Sequence, residues 1–175
     1  SGPKHTARSA HTLQLGAQTT GRHAFEWDPA GGIYGTLTDL HAHAHMHSFA
    51  TALTNNGRVV GYYQDDDGTT VGFIWRKATG TEEFVYDASY DYTYLLDINE
   101  SLRMVGYYTD NSGYNKAFAY DSTNGRVALD TLGGDQAVAY GINSNNQVVG
   151  VAATAGGQNH ACLWNLPSTT PQDLG

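Results

Sequence analysis

GINSNNQVVG, residues 141–150, is one of four copies of a single pattern. LTNNGRVVG ends at Gly61, DINESLRMVG ends at Gly106, and a degenerate ARSAHTLQLG ends at Gly16. The four closing glycines stand 45, 45 and 44 residues apart. Self-similarity at such a period marks a repeat architecture, in which one unit alone cannot bury its apolar surface and neighbours bury it by stacking. A second landmark keeps the same register: HAFEW to Trp27, VGFIW to Trp75, KAFAY to Tyr120 and HACLW to Trp164. Together they define units at about 4–40, 48–87, 92–130 and 136–174 of a single domain covering 1–175.

Each unit divides into four short runs separated by Gly, Asn and Asp turns, the signal of antiparallel hairpins. In the first unit the runs fall near 5–9, 12–17, 23–28 and 35–40. A four-stranded meander buries both faces only when others pack around an axis with it. The sequence therefore predicts an all-β, monomeric, four-bladed β-propeller of four-stranded antiparallel blades with a period of about 45 residues. The small residues Ala50, Ala52, Ala137 and Gly141 put the first strand of each blade nearest the axis. Phe25, Phe73 and Phe118, with Trp27, Trp75, Tyr120 and Trp164, read as packing between blades, and Cys162 in the Phe place as a small buried apolar residue.

Units of the form A-x-G-I-N-x-x-x-Q-V-V-G, H-A-F-x-W, D-L-G resemble the bacterial HAF repeats, with His23, Ala24 and Phe25 as the name-giving triplet. LDTLGG at 129–134 is similar to that family's linker. The resemblance covers nearly the whole chain. It implies a β-propeller-like protein, extracellular or periplasmic, and brings no catalytic residue with it.

Composition removes several partner classes. Only 15% of residues are charged and the net charge is −8, the wrong sign for a phosphate backbone, so nucleic acid is excluded as a partner. No apolar run approaches the ~18 residues of a membrane-spanning helix, which leaves no membrane role of that kind. A single cysteine allows no internal disulfide.

In a meander blade the loop between strands two and three and the linker to the next blade emerge on one face, and departures from the repeat on that face are where binding is expected. The largest departure joins units one and two: Asp39 to Asn55 takes 16 residues, where Asp87 to Asn99 takes 12. The extra length holds His41, His43, His45 and His47, half of the chain's 8 histidines. Alternate residues of an extended segment share a side, so these imidazoles are candidate ligands for zinc, copper or nickel. A His-x-His pair supplies two ligands, and His5, His160, Asp91 and Asp135 are the candidates for the rest. A second departure places Tyr90, Tyr92 and Tyr94 in the next linker as an aromatic wall for a small molecule or carbohydrate. Arg8 and Asp97 occupy equivalent inner positions of units one and three and are candidates to pair across the axis.

Three functions are compatible with these residues. The first is a binding module with a transition-metal site at the His segment. The second is an enzyme, a metal- or acid/base-dependent lyase or cyclase in which Asp91, Tyr92, Arg8 or Asp97 moves protons or polarises substrate. The third is a carbohydrate-binding or scaffold repeat.

Overall fold

The structure, a computed structural model, describes residues 9–13, 23–28, 36–40, 47–64, 67–79, 81–85 and 92–175. Among them run fifteen strands and no helix. The first unit supplies β1 (Ser9–Leu13), β2 (His23–Asp28) and β3 (Thr36–Asp39). The second supplies β4 (His47–Leu53), β5 (Arg58–Gln64), β6 (Thr70–Arg76) and β7 (Thr81–Val85). The third supplies β8 (Tyr92–Ile98), β9 (Met104–Thr109), β10 (Asn115–Asp121) and β11 (Gly125–Ala128), and the fourth β12 (Gly133–Ile142), β13 (Gln147–Thr154), β14 (Asn159–Asn165) and β15 (Gln172–Asp173). Within each unit neighbouring strands pair antiparallel in chain order. The second and third units belong to one eight-stranded sheet only through a single parallel bridge, Thr70 to Tyr92.

The repeat glycine has a steric cause. In the second unit Ala50 faces Gly61 and Ala52 faces Val60, so Thr51 is an extra residue, a β-bulge in the inner strand. The same bulge recurs at Leu96 between the Leu95–Gly106 and Asp97–Val105 pairs, and at Tyr140 between Ala139–Gly150 and Gly141–Val149. Each bulge pushes a carbonyl oxygen onto the facing glycine. A Cβ on Gly61 would stand 1.9 Å from the Phe49 oxygen, one on Gly106 1.8 Å from that of Tyr94, and one on Gly150 2.0 Å from that of Val138. No side chain fits there.

The Asn-containing turn is a three-residue hairpin loop whose last residue is left-handed: Gly57 at φ 73°, Leu102 at 61° and Asn146 at 59°. Its side-chain acceptor is Asn99 or Asn143, each of which takes backbone N–H groups of its own loop, and in the second unit Thr54, whose Oγ1 accepts from Arg58 N at 3.1 Å. Thr54, and not Asn55, is thus the equivalent of the repeat Asn. Asn55 instead reaches the next unit, donating from N and Nδ2 to Glu100 Oε1 at 2.8 and 2.7 Å. One unit further, Asn99 Nδ2 donates to Asn143 O and Asn146 Oδ1, both at 3.0 Å. Inner strands are tied likewise: Thr51 Oγ1 donates to Leu95 O at 2.8 Å, and Ile142 N donates to Asp97 Oδ2 at 2.7 Å.

Apolar burial between successive units forms the core. Ala24 and Leu40 pack on Val59, Phe73 and Trp75; Val60 and Ile74 on Leu95, Met104 and Phe118; Val105, Ala117 and Leu129 on Val148, Cys162 and Trp164. The expected inter-blade role of the aromatic triplet therefore holds for the buried members, and Cys162 is buried at the Phe place as anticipated. Its thiol is pushed up to about 11, first by burial and then by the Asp173 charge, which keeps it protonated and unreactive.

Two expectations need correction. The first unit has one described strand, β1, where residues 5–9 and 12–17 were expected as two, and Phe25 faces His11 where the repeat would place Gly16. The gap from glycine to Phe is 9 residues in this unit against 12 in the next two, and its segment lacks the Val-Val pair that fixes register elsewhere. The closed four-bladed ring is not formed by the described residues, because successive units pack in chain order and the fourth makes no comparable contact with the first.

The glycine argument predicts that Gly106→Ala costs about 3 kcal/mol or more, since backbone must move. Gly141→Ala, whose Cβ would meet Val149 and Asp97 at ordinary distances of 3.5 and 3.6 Å, should stay within about 1 kcal/mol of the parent. Urea unfolding midpoints of the two variants decide it, and equal costs would remove the bulge from its controlling role.

Candidate ligand site on the linker face

Each inner strand begins at one rim of the fold, opposite the end of the strand it pairs with: His47 faces Gln64 and Tyr92 faces Thr109. Two residues inside that rim lies a row of aromatic rings. Phe49 and Tyr62, directly paired across β4 and β5, stack at 5.0 Å; Tyr62 meets Tyr94 edge-on at 4.9 Å; Tyr94 stacks on its own partner Tyr107 at 4.5 Å. Cross-strand pairing accounts for both stacks, and the Tyr62–Tyr94 contact carries the row from the second unit to the third. All four rings are half-buried, so each keeps part of its surface in solvent.

Beyond the row, where the fourth unit meets the third, is a pocket lined by Asn115, Gln136, Ala137, Val138, Tyr140, Val151 and Asn159. It combines three amide side chains with an apolar floor. Gln136 Nε2 lies 3.4 Å from Asn159 Oδ1, and Asn115 Oδ1 accepts from Thr109 Oγ1 at 3.1 Å, which leaves amide groups on each for a ligand. Tyr140, the bulge residue, is 56% exposed over this pocket and acts electrostatically on Tyr107. Val138 and Val151 stand at the positions of Tyr94 and Tyr107 in the unit before.

The phenols of Tyr62 and Tyr107 stay protonated. Burial, then the neighbouring Tyr94, raises the pKa of Tyr62; burial, then Tyr94, Tyr62 and Tyr140, pushes that of Tyr107 up to about 12. At neutral pH the surface therefore presents uncharged ring faces, hydroxyl donors and amides. A depression on the opposite face, lined by Ser101, Arg103, Asp121 and Asn124, differs in kind: Arg103 donates to Asp121 at 3.1 Å, so its charges are spent on each other.

Of the residues singled out in the sequence, Tyr94 joins the aromatic row, and Tyr92 is 40% exposed at the head of β8. His47 heads β4, half-buried. His5, Arg8, His41, His43, His45, Tyr90 and Asp91 lie outside the described residues. Among the described residues, no group of three or more His, Cys, Asp or Glu is placed to hold a metal. His160 Nδ1 pairs with Asp173 at 3.0 Å, and its repeat equivalent His23 pairs with Asp39 at 2.8 Å. The His that opens the triplet thus meets the Asp of the unit's last strand, and where the third unit has Lys116 the amine sits 3.5 Å from Asp110 and bonds the Asp135 carbonyl. Asp135 itself is exposed. Asp97 accepts from Ile98 N at 2.9 Å as well as from Ile142 N, an anchor between units three and four.

Sequence reasoning missed Phe49, Tyr62, Tyr107 and the amides. The available signal was the first Tyr of VVGYY and MVGYY, which recurs at the repeat period on a strand ending at the linker face.

No family model matches the chain, and no curated protein matches its sequence. Among solved structures it is similar to TolB from Acinetobacter baumannii, with a TM-score of 0.63 over 95% of this chain at 13% identity. The fold is therefore β-propeller-like. The chain spans 41% of the length of that protein.

The displaced Tyr107 phenol makes stability fall at high pH. Its unfolded form gives up the proton near the ordinary value of 10.0 and the folded form only near about 12, so the contribution is complete below pH 10 and is lost as pH rises to about 12. Subtracting the pH profile of Tyr107→Phe from that of the parent should isolate this fall. Superimposable profiles would show the phenol to be freely solvated.

Proposed function

We propose that the chain is a ligand-binding β-propeller module of HAF-type repeats, and that the aromatic row with its adjoining amide pocket takes a neutral carbohydrate. The observation that carries this reading is the unbroken, half-exposed series Phe49, Tyr62, Tyr94 and Tyr107 at the linker face. Ring faces of this kind cover the C–H faces of a sugar, and amides and phenols bond its hydroxyls. With a net charge of −8 the protein repels anionic ligands, which favours an uncharged saccharide over a phosphate or uronate.

The test is calorimetry of the protein against neutral oligosaccharides. Tyr94→Ala should weaken binding about tenfold or more, the loss typical of a well-packed aromatic contact, while Tyr94→Phe keeps most of it. Asn115→Ala or Gln136→Ala should alter which sugar is preferred. Absence of binding across neutral saccharides, or binding indifferent to Tyr94→Ala, would reduce the row to inter-unit packing.

A second reading rests on His47, which heads β4 at the same rim as Tyr92, directly after His41, His43 and His45. Here the segment holds zinc, copper or nickel beside the sugar site. His160 would fit such a role through Nε2, since Asp173 occupies Nδ1 and sets the ring's orientation. Elemental analysis of untagged protein should then find about one equivalent of metal, lost in His43→Ala/His45→Ala; metal-free protein that binds only weakly on titration would dismiss it.

A further inference from the structure

One place in the joint between successive units is taken by three different residues. Glu26, Ile74 and Ala119 each stand between the two aromatic residues of the triplet. Glu26 bonds Lys77 of the second unit at 3.2 Å, and Ile74 packs on Leu95 and Met104 of the third. Ala119, packed with Val148 and Trp164 of the fourth, ends at its Cβ. The extra carbons of isoleucine are missing from that joint, and nothing from the facing unit replaces them. Arg58 and its repeat equivalent Arg103 border one cavity each at these two joints. The cavity beside Ile74 has a volume of about 40 Å³, whereas the one beside Ala119 has about 190 Å³.

Ala119, Val127, Leu166 and Pro167 wall the larger cavity, so its lining is mostly aliphatic. An apolar cavity of about 150 Å³ takes a benzene molecule. The room is therefore that of one six-membered ring. Its polar edge is made by Arg103, Asp121 and Asn124. Asp121 accepts from Arg103 Nη2 at 3.1 Å, from Asn124 Nδ2 at 3.0 Å and from the backbone N–H groups of Thr123 and Asn124. With the two charges paired, a charged guest would leave water and find no counter-charge. Among the described residues Arg103 gives only Nη2 to that pair, and Asn124 keeps its Oδ1. These two groups flank one carboxylate, and a single hydroxyl accepts from the first while donating to the second. We propose that this cavity, at the turn end of the joint between the third and fourth units, is a second ligand site that takes a small neutral aromatic alcohol. The ring lies against Ala119 and Leu166, and the hydroxyl meets Arg103 and Asn124. An apolar chamber with a few convergent polar groups is the usual form of a small-molecule site. The site shares no residue with the aromatic row and stands independently of what that row binds.

Titration of the isotope-labelled protein with benzyl alcohol, followed by amide resonances, tests this. The amides of Ala119, Val127 and Leu166 should shift together, with a dissociation constant of about a millimolar, as expected for so small a ligand. Ala119→Ile restores the residue of the preceding joint and fills the space. It should weaken binding at least about tenfold while leaving the urea midpoint equal to that of the parent or above it. Val127 is 37% exposed, so Val127→Asn keeps the fold and should weaken binding as well, which decides the matter if Ala119→Ile does not fold. Benzylammonium, drawn by the net charge of −8 but facing Arg103, should bind at least about tenfold more weakly than the alcohol. Absence of shifts up to the solubility of benzyl alcohol overturns the proposal, and so do shifts confined to other residues. Binding unchanged by folded Ala119→Ile, or by Val127→Asn, removes the cavity as the site, and benzylammonium binding as well as the alcohol removes the neutral ligand class.

Discussion

The contact on which the rest depends is a carbonyl oxygen pressed against a glycine. In units two to four the inner strand bulges, and the oxygen of Phe49, Tyr94 or Val138 fills the space where a Cβ would be. The bulge bends and twists that strand locally, and its consequences spread outward. The extra residue is re-aimed: Thr51 Oγ1 donates to the Leu95 carbonyl of the next inner strand, and Tyr140 stands over the pocket. The residue after the bulge in the third unit, Asp97, reaches the Ile142 amide of the fourth. One steric requirement thus fixes a sequence letter, a strand curvature and the bonds between units.

Between units the division of labour is chemical. Directional bonds sit at the strand ends and turns, where Asn55 meets Glu100 and Asn99 meets Asn143 and Asn146, and these set the angle at which one unit meets the next. The broad middle is apolar and non-directional, which supplies most of the driving force. Glu26 departs from this pattern. It takes the place of Ile74, Ala119 and Leu163, is 1% exposed, and accepts from Lys77 of the second unit at 3.2 Å. Burial of a carboxylate is costly without a partner, so this joint between units one and two depends on a specific pair where the others depend on packing.

The period, the strand count of units two to four and the inter-unit role of the aromatic triplet were legible in the sequence because each rests on a signal repeated at least three times. Register in the first unit was not, since ARSAHTLQLG keeps the glycine and loses the Val-Val pair that ties a face to the core. Ring closure was illegible for another reason: the apolar faces that join one unit to the next read the same in an open row as in a closed ring. In the aromatic row, Tyr94 was singled out through a linker that breaks the repeat, whereas Tyr62 and Tyr107 escaped notice because they obey it. A search for departures overlooks an aromatic row built from equivalent residues. The amides Asn115, Gln136 and Asn159 come from three separate strands or strand ends and converge only in three dimensions.

The inner-strand pairs show how symmetry and function divide the same sheet. Moving along one face from the repeat glycine toward the turn, the units agree: Val60, Val105 and Val149 stand at one position, and the first two are fully buried against the next unit. Moving toward the rim they diverge, with Phe49–Tyr62, Tyr94–Tyr107 and Val138–Val151 at a single structural position. The first direction leads into contact with the next unit, where any change of volume is felt by a closely packed neighbour. The second leads to solvent, where that constraint relaxes and aromatic rings can be kept in one unit and dropped in another. Dropping them in the fourth unit is what opens the pocket: two valines occupy less space than two tyrosines, and Tyr140 with the three amides borders the room they leave. The pocket is therefore a local loss of repeat symmetry, held in place by the bulge that preserves the symmetry everywhere else.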